Sequence, residues 1–249
     1  MRGEPSVKTS GARPFHAIHS HGFVRVAACT PAVAVGDPGF NAVQTLALAR
    51  DGHARGCDLM LFPELGLSAY AIDDLFLQDA LLRRVEAEIE GLAAAGKDLA
   101  PVLIVGAPLQ HSGALYNCAV VIARGRILGV VPKSFLPNYR EFYENRWFAP
   151  GAGITGLTMR LAGQEAPFGT DLVFEATDLA DFSFAAEICE DFWSPTPPST
   201  SAALAGALIL CNLSASNIVV GKADDRELLC ASQSMRCMAA YLYSAAGPG

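Results

Sequence analysis

The sequence predicts an α/β protein. Three observations carry this expectation. Apolar runs alternate with amphipathic stretches in the first and last thirds of the chain. Many of those runs are apolar throughout, as strands buried within a sheet are. The stretches between them repeat their apolar residues at helical spacing. With 249 residues, 51% of them hydrophobic and 17% charged, the chain can bury a large core. No repeat or low-complexity tract is present. Residues 21–249 read as one domain behind an irregular N-terminal arm at 1–20, which is rich in Gly, Pro, Ser and His.

The first strand is Val24 to Cys29. Asp37-Pro38 supplies an N-cap and a proline at the first helical position. The helix that follows runs to about Gly56, with Phe40, Val43, Leu46 and Ala47 on its apolar face. Asp58 to Phe62 is a second buried strand, ending in Pro63-Glu64. A loop through Tyr70 and Asp73-Asp74 leads to a second helix, striped by Leu82, Val85, Ile89 and Leu92. Val102 to Gly106 is the third strand. Leu115 to Ala123 and Ile127 to Val131 form a hairpin through Arg124-Gly125-Arg126. Lys133 and an aromatic, charged stretch, Ser134 to Trp147, come next. A Gly-rich loop then precedes strands near 171–176 and 182–188. A short helix near Ser199–Ala205, a strand at Ala207–Leu213, a loop at 214–223, a helix from about Asp224 and a strand at Ala240–Ala245 complete the chain. The last strand is followed at once by Gly-Pro-Gly249, so the sequence reads as a fragment of a longer protein.

A formal net charge of −7 argues against general binding of nucleic acid or of an anionic membrane, because both want a basic surface. The longest apolar run, Ala202 to Cys211, is too short to span a bilayer. Seven cysteines without a CxxC pair or a Cys/His cluster suggest neither a disulfide framework nor a zinc site. The expectation is a cytoplasmic protein with reduced thiols and no secretory signal.

Three residues each follow an apolar strand, where α/β proteins build sites. Cys189 ends the run Phe182 to Ile188. Glu187, Glu190 and Asp191 crowd it, and negative charge disfavours a thiolate. As a nucleophile it needs a base and a cation from elsewhere; otherwise it is a small core hydrophobe. Glu64 ends a buried strand, where desolvation raises a carboxylate toward general-base range, or it caps a turn. Lys133, one of four lysines, aims a charge at an oxyanion or thiolate, or else snorkels from a hairpin edge. Together a thiol, a base and a cation form a complete acyl-transfer apparatus.

These blocks resemble the nitrilase (carbon–nitrogen hydrolase) superfamily, whose triad is Glu-Lys-Cys in that chain order. More closely, the chain is similar to the glutaminase domains of glutamine-dependent NAD+ synthetases. The matching stretches are His21 to Val26, Phe62-Pro-Glu-Leu-Gly-Leu-Ser-Ala-Tyr70 with Asp73 to Leu75, and Lys133 to Glu144. Glu187-Ile-Cys-Glu-Asp-Phe-Trp193 and Asn212 to Ser216 complete the set. The resemblance covers nearly the whole chain after residue 15. The triad blocks mark the superfamily, and Tyr139-Arg-Glu-Phe-Tyr-Glu144 points to the synthetase branch.

The resemblance implies an αββα sandwich, truncated at its C-terminal end. It implies that Cys189 attacks the side-chain amide of L-glutamine, that Glu64 moves the protons and that Lys133 stabilises the tetrahedral intermediate. Glu144 would position Lys133 or the substrate. Substrate contacts would come from Tyr139, Glu190, Trp193, Ser216 and Lys222, and Lys222 stands where the family usually has arginine. That departure turns a bidentate clamp into a point charge. Tyr139 packing in an aromatic loop and Ser216 capping a turn are the structural alternatives. No Ser-Gly-Gly-x-Asp-Ser loop, Walker A loop or Rossmann fingerprint is present, so no cofactor is expected in this chain. ATP and deamido-NAD+ would belong to a synthetase domain outside it, the partner that receives the ammonia. The resemblance also implies a homo-oligomer. The alternatives are a stand-alone amidase or carbamoylase for another small amide, and a catalytically silent assembly module.

Overall fold

The computed structural model describes residues 15–247. Of the arm expected at 1–20, residues 1–14 lie outside the described residues. The remainder forms a 3-10 turn, Ile18–His21, that sets His19 Nε2 2.9 Å from Asp58.

Among the described residues eleven strands form two sheets. The larger contains β1 (Val26–Ala28), β2 (Leu59–Leu61), β3 (Val102–His111), β4 (Ala114–Ala123), β5 (Arg126–Pro132), β6 (Leu157–Leu161) and β7 (Gln164–Phe168). Their order is β1-β2-β3-β4-β5-β7-β6. The smaller runs β11-β10-β9-β8, from β8 (Phe174–Glu175), β9 (Ser183–Ile188), β10 (Ile209–Ser214) and β11 (Ala240–Ala245). The helices are α1 (Pro38–Ala54), α2 (Asp79–Ala95), α3 (Pro198–Leu204) and α4 (Lys222–Cys237).

The side-chain alternation of the strands builds four layers. In the larger sheet Leu59, Leu61, Ile104, Ala119 and Val121 face Phe184, Ala186, Ile188, Cys211 and Leu213 of the smaller one, making the central core. The opposite faces of the same strands, with Met60, Leu103, Val105 and Val120, pack against Ala42 and Ala49 of α1 and Val85 and Ile89 of α2. On the far side, Ala185 and Leu210 meet Ala202, Ala203 and Cys237 from α3 and α4. The result is an αββα sandwich. Strands buried on both faces explain why their sequences read as continuous apolar runs.

The α2 stripe packs as its sequence predicts, with Leu82, Val85, Ile89 and Leu92 buried. The α1 face does not. Phe40 and Val43 are 41% and 62% exposed, while Asn41, Ala42, Thr45, Ala49 and Gly52 face the sheet. The physical reason is close approach. A Cβ on Gly52 would sit 2.2 Å from the Met60 sulfur, so small residues, rather than large apolar ones, lie on the side that touches the strands. The Asp37 cap holds, accepting the Phe40 N–H at 3.0 Å. The Gly-rich region holds a hairpin, β6–β7, which joins the larger sheet through a parallel pairing of Val130 with Phe168. The strand expected near 171–176 shrinks to Phe174–Glu175. Helix α4 begins at Lys222, two residues earlier than its sequence suggests.

Candidate active site

Glu64, Lys133 and Cys189 leave three strands at one end of the sandwich. Strands β2 and β5 are parallel to one another through β3 and β4, so Glu64 and Lys133 emerge at the same edge of the larger sheet. The corner that carries Glu64 packs directly on β3. A Cβ on Gly106 would lie 2.4 Å from both Pro63 O and Leu65 N, so only glycine lets this corner seat. Cys189 follows β9 directly and opens a 3-10 turn, Cys189–Trp193, with φ at +43°. A left-handed conformation at a non-glycine residue is strained, and such strain concentrates at functional sites.

Lys133 Nζ lies 2.6 Å from Glu64 Oε1 and 2.7 Å from Glu144 Oε1. All three side chains are sealed from solvent. Asn117 Nδ2 donates to Glu64 Oε1 at 2.8 Å, and the Ala215 N–H donates to Glu64 Oε2 at 2.9 Å. Tyr70 donates its hydroxyl to Glu144 Oε1 at 2.6 Å. Glu144 Oε2 has no partner among the described residues. Burial pulls the Lys133 ammonium down, but Glu64 and Glu144 outweigh it, and its pKa stands well above its ordinary value. Burial pushes Glu144 up, opposed by Lys133 and assisted by Glu64.

Cys189 is 6% exposed. Burial raises its pKa most, the Glu64 carboxylate raises it further, and Lys133 only partly offsets them. The resting group is a neutral thiol beside a carboxylate and an ammonium. That arrangement can remove a proton from sulfur as a bond forms and can hold negative charge on an oxygen. The acidic neighbours in sequence act unequally. Glu187 turns away to accept the Ser199 N–H at 2.8 Å and the Tyr241 hydroxyl. Asp191 accepts backbone N–H groups from Ile188, Ser134 and Phe135.

The remaining expected residues gather beside this cluster. Tyr139 donates to Glu190, 3.1 Å from each carboxylate oxygen. Lys222 Nζ sits 5.2 Å from the Trp193 ring centre and 5.8 Å from that of Phe142, and it bonds Asn217. Tyr139, Phe142, Trp193, Asn217 and Lys222 line a cavity of about 410 Å3. Glu64, Tyr70, Ser216 and Asn217 line an adjoining one of about 270 Å3. Asn217 lines both cavities. Ser216 Oγ is buried there, near the Tyr243 hydroxyl.

Sequence reasoning did not single out Asn117, Asp191 or the Tyr70 hydroxyl as site groups. Tyr70 had a signal, since it closes the Phe62–Tyr70 block. Asn117 had none, being one polar residue inside an otherwise apolar strand. All seven cysteines are free. Among the described residues no helix is long and apolar enough to cross a membrane.

Comparison with known proteins shows the family and the fold. The carbon–nitrogen hydrolase family model matches residues 25–246. The chain is similar to a glutamine-dependent NAD(+) synthetase of Mycobacterium tuberculosis, 56% identical over 235 residues, covering 94% of this chain and 34% of that protein. A glutamine-dependent NAD(+) synthetase of Thermotoga maritima is 34% identical over 182 residues, 73% of this chain and 27% of the relative. Among solved structures, a glutamine-dependent NAD(+) synthetase from Cytophaga hutchinsonii superposes with a TM-score of 0.80 at 25% identity, over 91% of this chain and 36% of that one. An amidase from Nesterenkonia shares the fold, with a TM-score of 0.68 at 18% identity over 90% of this chain and 77% of the amidase. The chain thus spans about a third or less of the length of these synthetases.

Proposed function

The chain belongs to the carbon–nitrogen hydrolase family, and from that premise we propose that it hydrolyses the side-chain amide of L-glutamine through a thioester on Cys189. The observation that carries the reading is the sealed Glu64–Lys133–Glu144 ion cluster beside a strained, buried thiol.

Cys189 Sγ attacks the carboxamide carbon while Glu64 takes the thiol proton. Lys133 Nζ holds the oxygen that becomes negative. Glu64 then passes the proton to the departing nitrogen, the C–N bond breaks, and ammonia leaves a glutamyl thioester. Glu64 next takes a proton from water, whose oxygen attacks the thioester carbon. The C–S bond breaks, the sulfur recovers the proton, and glutamate is released. A neutral resting thiol fits this sequence, because the base and the nucleophile work in one step. Glu144 and Tyr70 hold Lys133 in place through the 2.7 Å and 2.6 Å contacts.

An amino-acid substrate needs opposite charges at its α-carbon. Lys222 supplies the cation, at the N-terminal end of α4, where the helix also favours an anion. Glu190, anchored by Tyr139, supplies the anion for the α-ammonium. Trp193 walls this compartment, and Ser216 Oγ offers a further hydrogen bond. This pairing favours glutamine over a plain aliphatic amide. The ammonia would serve amidation of deamido-NAD+ in a synthetase domain, a reading supported by the names of the relatives and by the share of them that this chain covers. ATP and deamido-NAD+ would then bind outside this chain.

The test is mass spectrometry after exposure to a diazo-ketone analogue of glutamine. One adduct on Cys189, prevented by L-glutamine and lost in Lys133→Ala, is expected. An adduct that glutamine does not prevent would shift the substrate to another small amide. No adduct on folded protein would support a silent module instead.

A further inference from the structure

We propose that Asp191 is a positioning residue that locks the nucleophile's turn to the lysine's loop. The proposal rests on Cys189 and Lys133 acting together as described above. One Asp191 oxygen accepts the Ile188 N–H at 2.9 Å. The other accepts the Ser134 and Phe135 N–H groups at 3.0 and 2.8 Å. Ile188 immediately precedes Cys189, and Ser134 immediately follows Lys133. A single side chain, 1% exposed, therefore ties the turn of Cys189 to the loop after Lys133, reaching Ser134 57 positions away in sequence.

The two groups come from different sheets. Lys133 follows β5 of the larger sheet and Cys189 follows β9 of the smaller one. Between the sheets lie apolar contacts, which set a spacing but carry little direction. Hydrogen bonds to a carboxylate do carry direction, and they are stronger than neutral ones. The three partners of Asp191 are all donors, so the side chain is matched to an acceptor on both oxygens. Burial pushes its pKa up, while the Ile188 and Phe135 N–H groups favour the ionised form that accepts on both oxygens.

Asparagine is the discriminating substitution. It has nearly the same shape but turns one oxygen into an NH2 donor. Either Ile188 or the Ser134–Phe135 pair then faces a donor, so one half of the clamp opens while packing stays. In Asp191→Asn, kcat for glutamine hydrolysis per titrated Cys189 is expected to fall on the order of 100-fold, the scale of a misplacement of about 1 Å. KM is expected to hold within about threefold, since no substrate contact is removed. Amide exchange should quicken at Ile188 or at Ser134–Phe135.

Ser183→Ala is the control for plain destabilisation. Ser183 bonds Gly206 O at 2.7 Å at the far end of β9. It should lower stability and leave kcat per titrated thiol unchanged. An Asp191→Asn enzyme that matches wild type per titrated thiol, with unchanged exchange, overturns the proposal. If Asp191→Asn does not fold, Asp191→Glu is read the same way. It keeps both acceptors but lengthens the arm, so a fall in kcat per thiol supports the clamp and wild-type kcat overturns it. Wild-type protein that neither turns over glutamine nor takes the label sinks the glutaminase reading instead. Exchange at residues 134–135 and 188 still decides the clamp in that case.

Discussion

Lys133 Nζ lies 2.6 Å from Glu64 Oε1, with neither side chain open to solvent. The ammonium sits between two buried carboxylates, and burial pushes Glu144 up while Lys133 pulls it back. Burial first, and then the Glu64 carboxylate, raise the Cys189 pKa, and Lys133 only partly offsets them. Removing the cation leaves two buried carboxylates facing each other. Lys133→Ala should abolish hydrolysis and lower stability by about 3–5 kcal/mol, the usual cost of breaking a buried pair. A second change, Glu144→Gln, should recover part of the stability and none of the activity. Urea midpoints and ammonia release read the two effects separately. A single mutant as stable as wild type would mean the pair is not desolvated.

Glu64 has two opposed effects on the thiol. It is the proposed acceptor of the thiol proton, yet its charge raises the thiol pKa. Glu64→Gln should therefore depress glutamine turnover by roughly 100- to 10,000-fold, the loss of a general base. The same variant should be alkylated faster by iodoacetamide at pH 8. The sign follows from the electrostatics: with the carboxylate gone, thiolate formation begins at lower pH. The pH profile of alkylation should move down in the mutant. A profile that moves up, or stays put, would remove Glu64 from the thiol's environment.

Lys222 stands between two aromatic rings and next to Asn217, at the start of α4. If it holds the substrate carboxylate, Lys222→Ala should raise KM for L-glutamine by roughly 10- to 100-fold, a loss of about 1.4–3 kcal/mol of binding, with little change in kcat. Lys222→Arg should lower KM, because the guanidinium can bind a carboxylate through two parallel bonds. Amides lacking the α-carboxylate should not distinguish the three proteins. Equal KM for glutamine in all three would place the carboxylate elsewhere.

The sequence showed the fold where one rule dominated. The α2 stripe and the doubly buried strands were legible because burial alone chose those residues. The α1 face was not, because close approach at Gly52 and Met60 outweighed hydrophobicity there. The β6–β7 hairpin was hidden in glycine-rich sequence whose turns look like loop. At the site, Glu64, Lys133 and Cys189 each had a structural alternative when taken alone, and only the three together at strand ends, with the family resemblance, pointed to chemistry. Asp191 read only as one more negative charge near the thiol. Its three backbone bonds come from the end of β9 and from the loop after β5, far apart in sequence, and no local pattern records such a meeting. Asn117 is a similar case, since its tie to Glu64 spans the sheet.

Gly106 makes the last prediction, and it touches no charge at all. This residue lies in β3, beneath the corner that carries Glu64, and the Leu67 N–H bonds its carbonyl at 3.1 Å. A methyl group there would meet Pro63 O and Leu65 N at 2.4 Å, and the Glu64 carbonyl carbon at 2.8 Å. All are backbone atoms in a sealed core, so rotamer changes cannot relieve the contact. Gly106→Ala should cost about 1–3 kcal/mol from overpacking. The corner must also rise off β3 and carry Glu64 away from Lys133 and Asn117. Activity per folded molecule should fall on the order of 100-fold. Gly91→Ala, in α2, provides the contrast, since its Cβ would meet nothing within 4 Å. Alanine there should stabilise the helix by up to about 1 kcal/mol and leave turnover intact. Thermal melts and turnover per folded molecule of both variants decide the matter. A Gly106→Ala protein with full activity per folded molecule would show that the corner can shift without displacing its carboxylate.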